Sequence, residues 1–169
     1  MKNLGLVSVV CCLLMVMLFQ GCGDIGPVWK EDKQPEQFTL SFSEPVEFTI
    51  SLPPGQPDVQ AYLEFSLTYY TGIARNTLPL FMVLEDNDLH QIKEFTTQIP
   101  LKENGQWKGL MHENEIDYYL THVAIPSLTI EAGKTYSLKV YADDEKDEKI
   151  YGIVSMTGRL FENTPQPDA

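Results

Sequence analysis

The feature that most constrains this chain is a period of two in its apolar residues. In AYLEFSLTYY the apolar side chains fill alternate positions, and the same spacing recurs in VEFTISL, TYSLKVY and QFTLSF. Such alternation indicates strands that bury one face and leave the other in solvent. The residues predicted to point inward are Phe38, Leu40, Phe42, Val46, Phe48, Ile50, Leu52, Leu63, Phe65, Leu67, Tyr69, Tyr136, Leu138 and Val140.

Turn-forming segments separate these strands. They lie at 53–58, 85–88, 102–105, 131–134 and 143–149 and are rich in Gly, Pro, Asn and Asp, the residues that favour chain reversals. The continuous apolar run LPLFMVL predicts a central strand, and only His112–Val123 indicates a possible helical turn. We therefore expect an all-β chain with one antiparallel β-sandwich or jelly-roll-like domain over 37–162.

The N-terminus follows another pattern, since Lys2 precedes one apolar run over 4–19. Sixteen helical residues span about 24 Å, which is less than the ~30 Å hydrocarbon core of a bilayer. A basic end, an apolar centre and a small-residue cut site predict an exported leader over 1–21. A transmembrane anchor and a plain signal peptide cut elsewhere stay open as alternatives.

A cysteine follows this leader directly. The stretch Leu18-Phe19-Gln20-Gly21-Cys22 resembles the lipobox of bacterial lipoproteins, which implies acyl chains such as palmitate on Cys22 and a lipid-anchored protein of the cell envelope. Several chains are needed for firm anchoring, because one chain binds a membrane only marginally. The outer membrane is expected, and whether the domain lies on its periplasmic or surface face stays open.

Cysteine usage and the chain ends complete this organisation. Cys11 and Cys12 would leave with the leader, so an exported domain would have no disulfide available. The segment 22–36 is rich in Gly, Pro and charge and predicts a flexible tether, and 163–169 predicts a loose tail. The core alone must then stabilise the fold.

The charge excludes one class of partner. The chain carries 12 basic and 24 acidic residues, a net charge of −12, and loses only Lys2 among these with the leader. A surface this acidic repels nucleic acid and offers no basic stripe for phosphates. It also disfavours electrostatic binding to anionic lipid, so the predicted membrane link is the lipid on Cys22.

No motif carries recognisable catalytic chemistry. The stretch EAGKT ends like a phosphate-binding loop, but Leu128 stands where that loop needs glycine and a strand pattern follows. No serine has the Gly-x-Ser-x-Gly setting. We therefore predict no catalytic residues, no cofactor and no enzyme activity.

Two acidic clusters are candidate metal sites. The first combines His112 with Glu113, Glu115 and Asp117, and the second is the stretch EDND at 85–88, which with DDEKDE offers oxygen ligands for calcium. Solvated loops and polar hairpin tips explain both clusters more simply. We predict no metal site, and calcium binding stays an alternative.

Several motifs appear in an order that resembles one known family. These are YYTGIARNTLPLFMVLED with Arg75-Asn76, the turn Gly105-Gln106-Trp107-Lys108-Gly109, and the late run Gly152-Ile153 with Gly158-Arg159-Leu160. Together with the lipobox they resemble the GldH-type gliding-motility lipoproteins of Bacteroidetes, over roughly residues 38–162.

This resemblance implies a non-enzymatic envelope lipoprotein that is associated with gliding motility or type IX secretion machinery and acts through protein–protein contacts. It gives structural or partner-contact roles to Arg75, Asn76 and Trp107. Two other classes stay open. A glycan-binding lipoprotein module, possibly assisted by calcium, predicts an aromatic platform beside Asp86 and Asp88, whereas an enzyme predicts ionisable groups that converge in a pocket.

Overall fold

The computed structural model describes residues 26–86, 91–113, 116–143 and 149–163 of the 169-residue chain. The predicted leader 1–21 and the lipidation site Cys22 lie outside these described residues. Within the described ranges, no helix is long and apolar enough to cross a membrane.

Strands make up most of the described chain, with one short 3₁₀ turn at Glu36–Phe38. In chain order the strands are β1 (Trp29–Lys33), β2 (Thr39–Ser41), β3 (Val46–Ser51), β4 (Val59–Tyr70), β5 (Thr77–Asp86), β6 (Gln91–Pro100), β7 (Lys102–Glu103), β8 (Gln106–Trp107), β9 (Leu110–Met111), β10 (Asp117–Ile130), β11 (Thr135–Ala142), β12 (Lys149–Tyr151) and β13 (Ile153–Glu162). Their pairings are antiparallel. The predicted all-β class is confirmed.

Two sheets form the sandwich. The larger has five strands in the order β1-β13-β4-β10-β9, and the smaller has four in the order β3-β11-β5-β6. The pairs β2–β12 and β7–β8 are separate two-stranded units. Strand β5, which contains the apolar run LPLFMVL, has a neighbour on each side, as predicted for a central strand.

The core lies between the two sheets. Alternate residues of β4 from Leu63 to Tyr69 are fully buried, and the ring of Phe65 packs against Phe48 of the other sheet at 5.5 Å between centroids. Each large apolar side chain that is fully buried contributes about 1.5–3 kcal/mol. The predicted inward faces of β3, β4 and β11 are therefore confirmed at their central positions.

The prediction for QFTLSF is only partly right. Leu40 is fully buried, but Phe38 and Phe42 are exposed. The strand β2 covers only Thr39–Ser41, so both phenylalanines lie beyond its ends, and a period of two no longer determines which way they point.

The predicted flexible tether over 22–36 is corrected by the structure. Residues 29–33 form β1, which pairs with the last strand from Trp29↔Leu160 to Lys33↔Met156. The ordered domain therefore begins at about Val28, whose N–H donates to the carbonyl of Leu160 at 2.8 Å, and not at residue 37.

Side chains of β1 also close one side of the sandwich. The Nε1–H of Trp29 donates to the carbonyl of Thr49 at 2.9 Å, and Glu31 accepts the N–H of Thr49 at 2.7 Å. Because β3 is an edge strand, these contacts satisfy main-chain groups that would otherwise face solvent. Gly158 makes room for the indole, since a Cβ there would lie 2.9 Å from a ring carbon of Trp29.

The described residues of 112–123 contain no helical turn, and from Asp117 onward they belong to β10, the longest described strand. Its pairing with β4 shifts register on both sides of Ile125, so its apolar residues lose a regular period of two. Beyond its short pairing with β9, β10 is an edge strand of its sheet. Pro126, which has no N–H to donate, suits such an edge.

The long strand β4 defines two ends of the sandwich, about 40 Å apart for its 12 residues. Beside its first residues, Val28 bonds to Leu160 and the N–H of Asn163 donates to the carbonyl of Gln60 at 2.7 Å. Both ends of the described chain thus lie here, and we call this the near end. The opposite end, at Tyr70, is the far end. Residues 164–169 of the predicted tail lie outside the described part.

Candidate interaction surface

A tight hairpin at the far end positions Trp107. Strands β7 and β8 are joined by Asn104 and Gly105, whose φ angles are +51° and +78°. Two consecutive residues with positive φ and the sequence Asn-Gly are typical of a type I′ turn. The predicted turn at 102–105 is confirmed, and it places Trp107 opposite Lys102.

Trp107 forms an aromatic cluster that closes this end of the core. Its ring lies 5.8 Å from the ring of Tyr69 and 6.0 Å from that of Tyr118, and the two tyrosine rings stack at 6.0 Å. The Nζ of Lys102 lies 3.7 Å from the centroid of the Trp107 ring, within the range of a cation–π contact. Trp107 therefore packs against the end of the core in this fold.

The hydroxyl of Tyr69 holds the following loop in place. It donates to the carbonyl of Lys108 at 2.6 Å, and the carbonyl of Leu101 lies at 3.2 Å from it. Burial, with the nearby Tyr118, raises the pKa of Tyr69 to about 12. The hydroxyl thus stays protonated and can donate at every physiological pH.

Gly109 then brings the chain against β10. Its φ is +92°, and a Cβ at this position would lie 2.1 Å from the carbonyl oxygen of Tyr119. No other residue type fits without moving the backbone. This close approach sets the pairing of Leu110 and Met111 with Tyr119 and Tyr118, and it explains why the Trp turn ends in glycine.

Asn76 ties a second loop to the same structure. Its carbonyl accepts the N–H of Leu101 at 2.8 Å and that of Lys102 at 3.0 Å. The structure therefore brings Asn76 and Trp107 together through the base of one hairpin. Arg75 instead lines a neighbouring cleft with Lys149 and Tyr151.

The far end also displays most of the exposed large apolar side chains. Among the described residues seven are exposed: Phe38, Phe42, Leu110, Met111, Ile116, Val123 and Tyr151. Five of these, all except Phe42 and Val123, contact or neighbour the residues at the end of β4. Leu110 is 75% exposed, Ile116 54% and Met111 50%.

Register places these five residues at the far end. Met111 pairs with Tyr118, which pairs with Tyr69, and the carbonyl of Ile116 accepts the N–H of Thr71 at 2.9 Å. On the other side, the ring of Phe38 contacts the ring of Tyr70 edge-on at 5.9 Å. Tyr151 precedes Gly152, which bonds to both Tyr70 and Phe38.

Sequence reasoning missed Leu110, Met111 and Ile116 as surface candidates. The available signal was the apolar pair Leu110-Met111 directly after a turn that ends in glycine, inside a stretch otherwise rich in charge. Nothing in a period of two shows that a two-residue strand lies at the edge of a sheet.

The structure describes only part of the acidic candidate clusters. Among the described residues, no three His, Cys, Asp or Glu side chains group closely enough to hold a metal ion. The ring of His112 instead contacts that of Tyr119 edge-on, and Glu85 pairs with Lys139 at 2.7 Å. Asp88 and Glu115 lie outside the described residues, so the predictions for them stay predictions.

The other sequence candidates are also accounted for. The segment Glu131–Lys134 is a turn, as predicted, but it links β10 of one sheet to β11 of the other and is not a hairpin. Asp86 pairs with Tyr136 at the near end. The Trp107 cluster lies at the opposite end of the sandwich from Asp86, so these aromatic rings form no platform beside it.

A polar network covers the outer face of the larger sheet. Arg159 approaches Glu64 at 3.4 Å and the hydroxyl of Tyr119 at 3.3 Å, and that hydroxyl donates to Ser66 at 2.8 Å. Nearby, the rings of Tyr62 and Phe161 stack at 5.2 Å. Arg159, part of the late motif, thus joins β13, β4 and β10 on this face.

Comparison with known proteins gives no family. No family model matches the chain, and no curated protein matches it. Among solved structures, a CocE/NonD family hydrolase from Staphylococcus aureus is 10% identical with a TM-score of 0.35, and the alignment covers 82% of this chain and 32% of the hydrolase. This chain therefore spans about a third of that protein.

Two other solved structures have similar scores. A family 35 carbohydrate binding module from an environmental isolate is 18% identical with a TM-score of 0.34, and the alignment covers 76% of this chain and 76% of that one. The Eiger TNF of S. frugiperda is 8% identical with a TM-score of 0.37, over 85% of this chain and 98% of that one. Likenesses this weak identify neither a family nor a ligand.

Proposed function

We propose that this chain is a non-enzymatic lipoprotein of the bacterial cell envelope, anchored through Cys22, that acts by protein–protein contacts at its far end. The GldH-type resemblance supports gliding or type IX secretion machinery as the assembly it serves. The observation that carries the proposal is the collection of exposed apolar side chains at one end of the sandwich, since such clusters on soluble domains mark interaction sites.

The far end is also the end that a lipid anchor leaves accessible. Six peptide steps separate Cys22 from Val28, and such a length of chain reaches at most about 20 Å. Because Val28 lies at the near end, a lipid on Cys22 would hold that end close to the membrane. The exposed residues at the far end would then face away from the bilayer, toward partners in the aqueous compartment.

The motif residues hold the far-end surface in place. Trp107 closes the core, Gly109 fixes the strand with Leu110 and Met111, and Asn76 binds the base of the hairpin. A surface held this rigidly requires little ordering when a partner binds, which favours affinity. These residues therefore hold the docking end in place, and the proposal gives none of them a catalytic role.

The test is a cross-linked pull-down of the lipidated protein from its native envelope. We compare the wild type with Leu110→Asp/Met111→Asp, which places two charges on the exposed strand. Val123→Asp is the matched control, because Val123 is an exposed apolar residue on β10 away from the far end. Cys22→Ala tests the anchor and should move the protein to the soluble fraction.

We expect the wild type and Val123→Asp to recover gliding or secretion components, and the double variant to lose most of them. Equal recovery by the wild type and both of these variants would place docking elsewhere on the molecule. Recovery of outer-membrane sugar-uptake proteins, or of glycan alone, would replace this proposal with the second one.

The second candidate function is a glycan-binding module. The observation that favours it is the outer face of the larger sheet, where the stacked rings of Tyr62 and Phe161 lie near the hydrogen-bonding groups of Arg159 and Tyr119. Sugars bind through such combinations of flat apolar rings and polar groups. Tyr62→Ala should abolish retention on envelope polysaccharide if this function is correct, and should leave the protein partners unchanged if it is not.

A further inference from the structure

One methionine of the folded domain differs from the other two in its exposure. Within the described ranges, methionine occurs at Met82, Met111 and Met156. Met82 and Met156 are fully buried in the core, whereas Met111 is 50% exposed at the far end. An oxidant in solution therefore reaches the side chain of Met111 in the folded protein, but reaches the other two only when the domain opens.

The pairing of β9 with β10 determines where the side chain of Met111 lies. Met111 is opposite Tyr118, and Leu110 is opposite Tyr119. Side chains of directly opposite residues lie on the same face of a sheet. Met111 therefore shares a face with Tyr118, whose ring packs against Trp107. This position is the solvent edge of the aromatic cluster that closes the far end.

The surroundings of Met111 are apolar and exposed. The N–H of His112 donates to the carbonyl of Asp117 at 2.9 Å, so contact with β10 continues beyond Met111 and keeps it at the surface. The side chains of Leu110 and Ile116, which lie beside it, are 75% and 54% exposed. A partner that covers these two side chains must also cover the thioether of Met111.

We propose that Met111 is a reversible oxidation site that weakens docking at the far end. Hydrogen peroxide transfers one oxygen atom to the sulfur in a two-electron step, so that the thioether becomes a sulfoxide and the peroxide is reduced to water. A sulfoxide reductase restores the thioether, because two thiols are oxidised to a disulfide and the oxygen leaves as water. The effect on docking rests on the proposed function.

Oxidation changes the polarity of the docking surface. The oxygen of a sulfoxide accepts hydrogen bonds from water, and burial under an apolar partner would remove that water. The neighbouring side chains of Leu110 and Ile116 carry no donor that could replace it. Oxidation of Met111 therefore removes affinity at the surface to which the proposed function assigns docking.

The first measurement locates the added oxygen. Purified full-length protein in detergent is treated with dilute hydrogen peroxide, quenched and digested with trypsin. Cleavage after Lys and Arg puts the three methionines in separate peptides, 76–93, 109–134 and 150–159. We expect the peptide with Met111 to gain one oxygen at least about tenfold faster than the other two. Oxidation of Met82 or Met156 as fast as Met111 would overturn the assignment.

The second measurement tests docking. Purified wild type and variants are treated or left untreated, freed of peroxide, and added as bait to solubilised native envelope. The readout is recovery after treatment divided by recovery before it, within each variant. It is scored on the gliding or secretion components that the cross-linked pull-down identifies.

Matched variants identify the sulfur responsible. The wild type should lose at least about fivefold in recovery after peroxide, and a sulfoxide reductase with dithiothreitol should restore it. Met82→Leu, which removes a buried thioether at nearly constant volume, should lose as much as the wild type. Met111→Leu should lose nothing, because its side chain has no sulfur to oxidise. An unchanged wild type, or an equal loss by Met111→Leu, would overturn the inference.

Failure of this inference can be told apart from failure of the proposed function. If Leu110→Asp/Met111→Asp loses its partners while peroxide leaves the wild type unchanged, docking uses the far end and oxidation does not regulate it. If that double variant keeps its partners, the proposed function fails and the regulatory effect fails with it. The peptide analysis then decides by itself whether Met111 is the oxidation site.

Discussion

The strongest quantitative prediction concerns Gly109. Its φ of +92° disfavours any residue with a Cβ, and that Cβ would lie 2.1 Å from the carbonyl oxygen of Tyr119. The conformational penalty is about 1–2 kcal/mol. The contact adds to it, because the oxygen belongs to the backbone of β10, so relief requires β9 to move away from its partner strand.

Gly133 supplies a matched control. It has a similar φ of +77°, but a Cβ there meets nothing within 4 Å. Gly133→Ala should therefore cost only the conformational penalty of about 1–2 kcal/mol. We expect Gly109→Ala to lower the free energy of unfolding by about 3–4 kcal/mol in total, a large part of the 5–15 kcal/mol typical of one domain.

Urea denaturation of both variants and the wild type measures this difference, with the slope of the transition as the check that all three unfold from equally compact states. The far-end pull-down supplies a second readout, since displacement of β9 also displaces Leu110 and Met111. If Gly109→Ala and Gly133→Ala lose stability to within about 0.5 kcal/mol of each other, the close approach to β10 is not a constraint, and the argument for a rigid docking strand is refuted.

Three further predictions test the contacts around the core. Tyr69→Phe removes the donor to the carbonyls of Lys108 and Leu101 and should cost about 1–3 kcal/mol in urea denaturation; a cost near zero would contradict the role given to this hydroxyl. Because the pKa of Tyr69 is raised to about 12, the folded state holds this proton more firmly than the unfolded state does. The wild type should therefore lose stability as the pH rises from about 10 to 12. If Tyr69→Phe shows the same additional loss, Tyr69 is not its source. Trp29→Ala removes the bond to Thr49 and the packing of the indole against the core, and should cost about 3–5 kcal/mol in thermal or urea unfolding, whereas a residue in a flexible tether would cost nothing.

The sequence predicts the inward face of β4 because this strand is central and packs against the other sheet. Leu63, Phe65 and Leu67 alternate with polar residues in register with that burial. The pattern is less informative at sheet edges. In β1, the residues Trp-Lys-Glu-Asp-Lys read as a charged linker, because the partner that makes them a strand lies about 130 residues away.

The far-end surface is harder to predict for a related reason. The sequence singles out Asn76 and Trp107, which build the surface, but not Leu110 or Met111, which are exposed on it. A side chain that is positioned by a tight turn is marked in the sequence by the turn's own motif, such as Asn-Gly or Gly-x-Trp-x-Gly. An exposed apolar residue is defined by the absence of neighbours, and that depends on the whole fold.

The pairing of β1 with β13 has a consequence for how the domain matures. Strand β1 gains its hydrogen-bonding partner only after the last strand, β13, has been made, and β4 also needs β13 on one of its sides. A chain that is still being synthesised or threaded through a translocon lacks these late hydrogen bonds and leaves the larger sheet unfinished. Such sequence-distant pairing delays folding. If the chain is exported as proposed, this delay keeps the polypeptide linear enough for the translocon. The same pairing makes the completed domain sensitive to the loss of a few residues before Glu162.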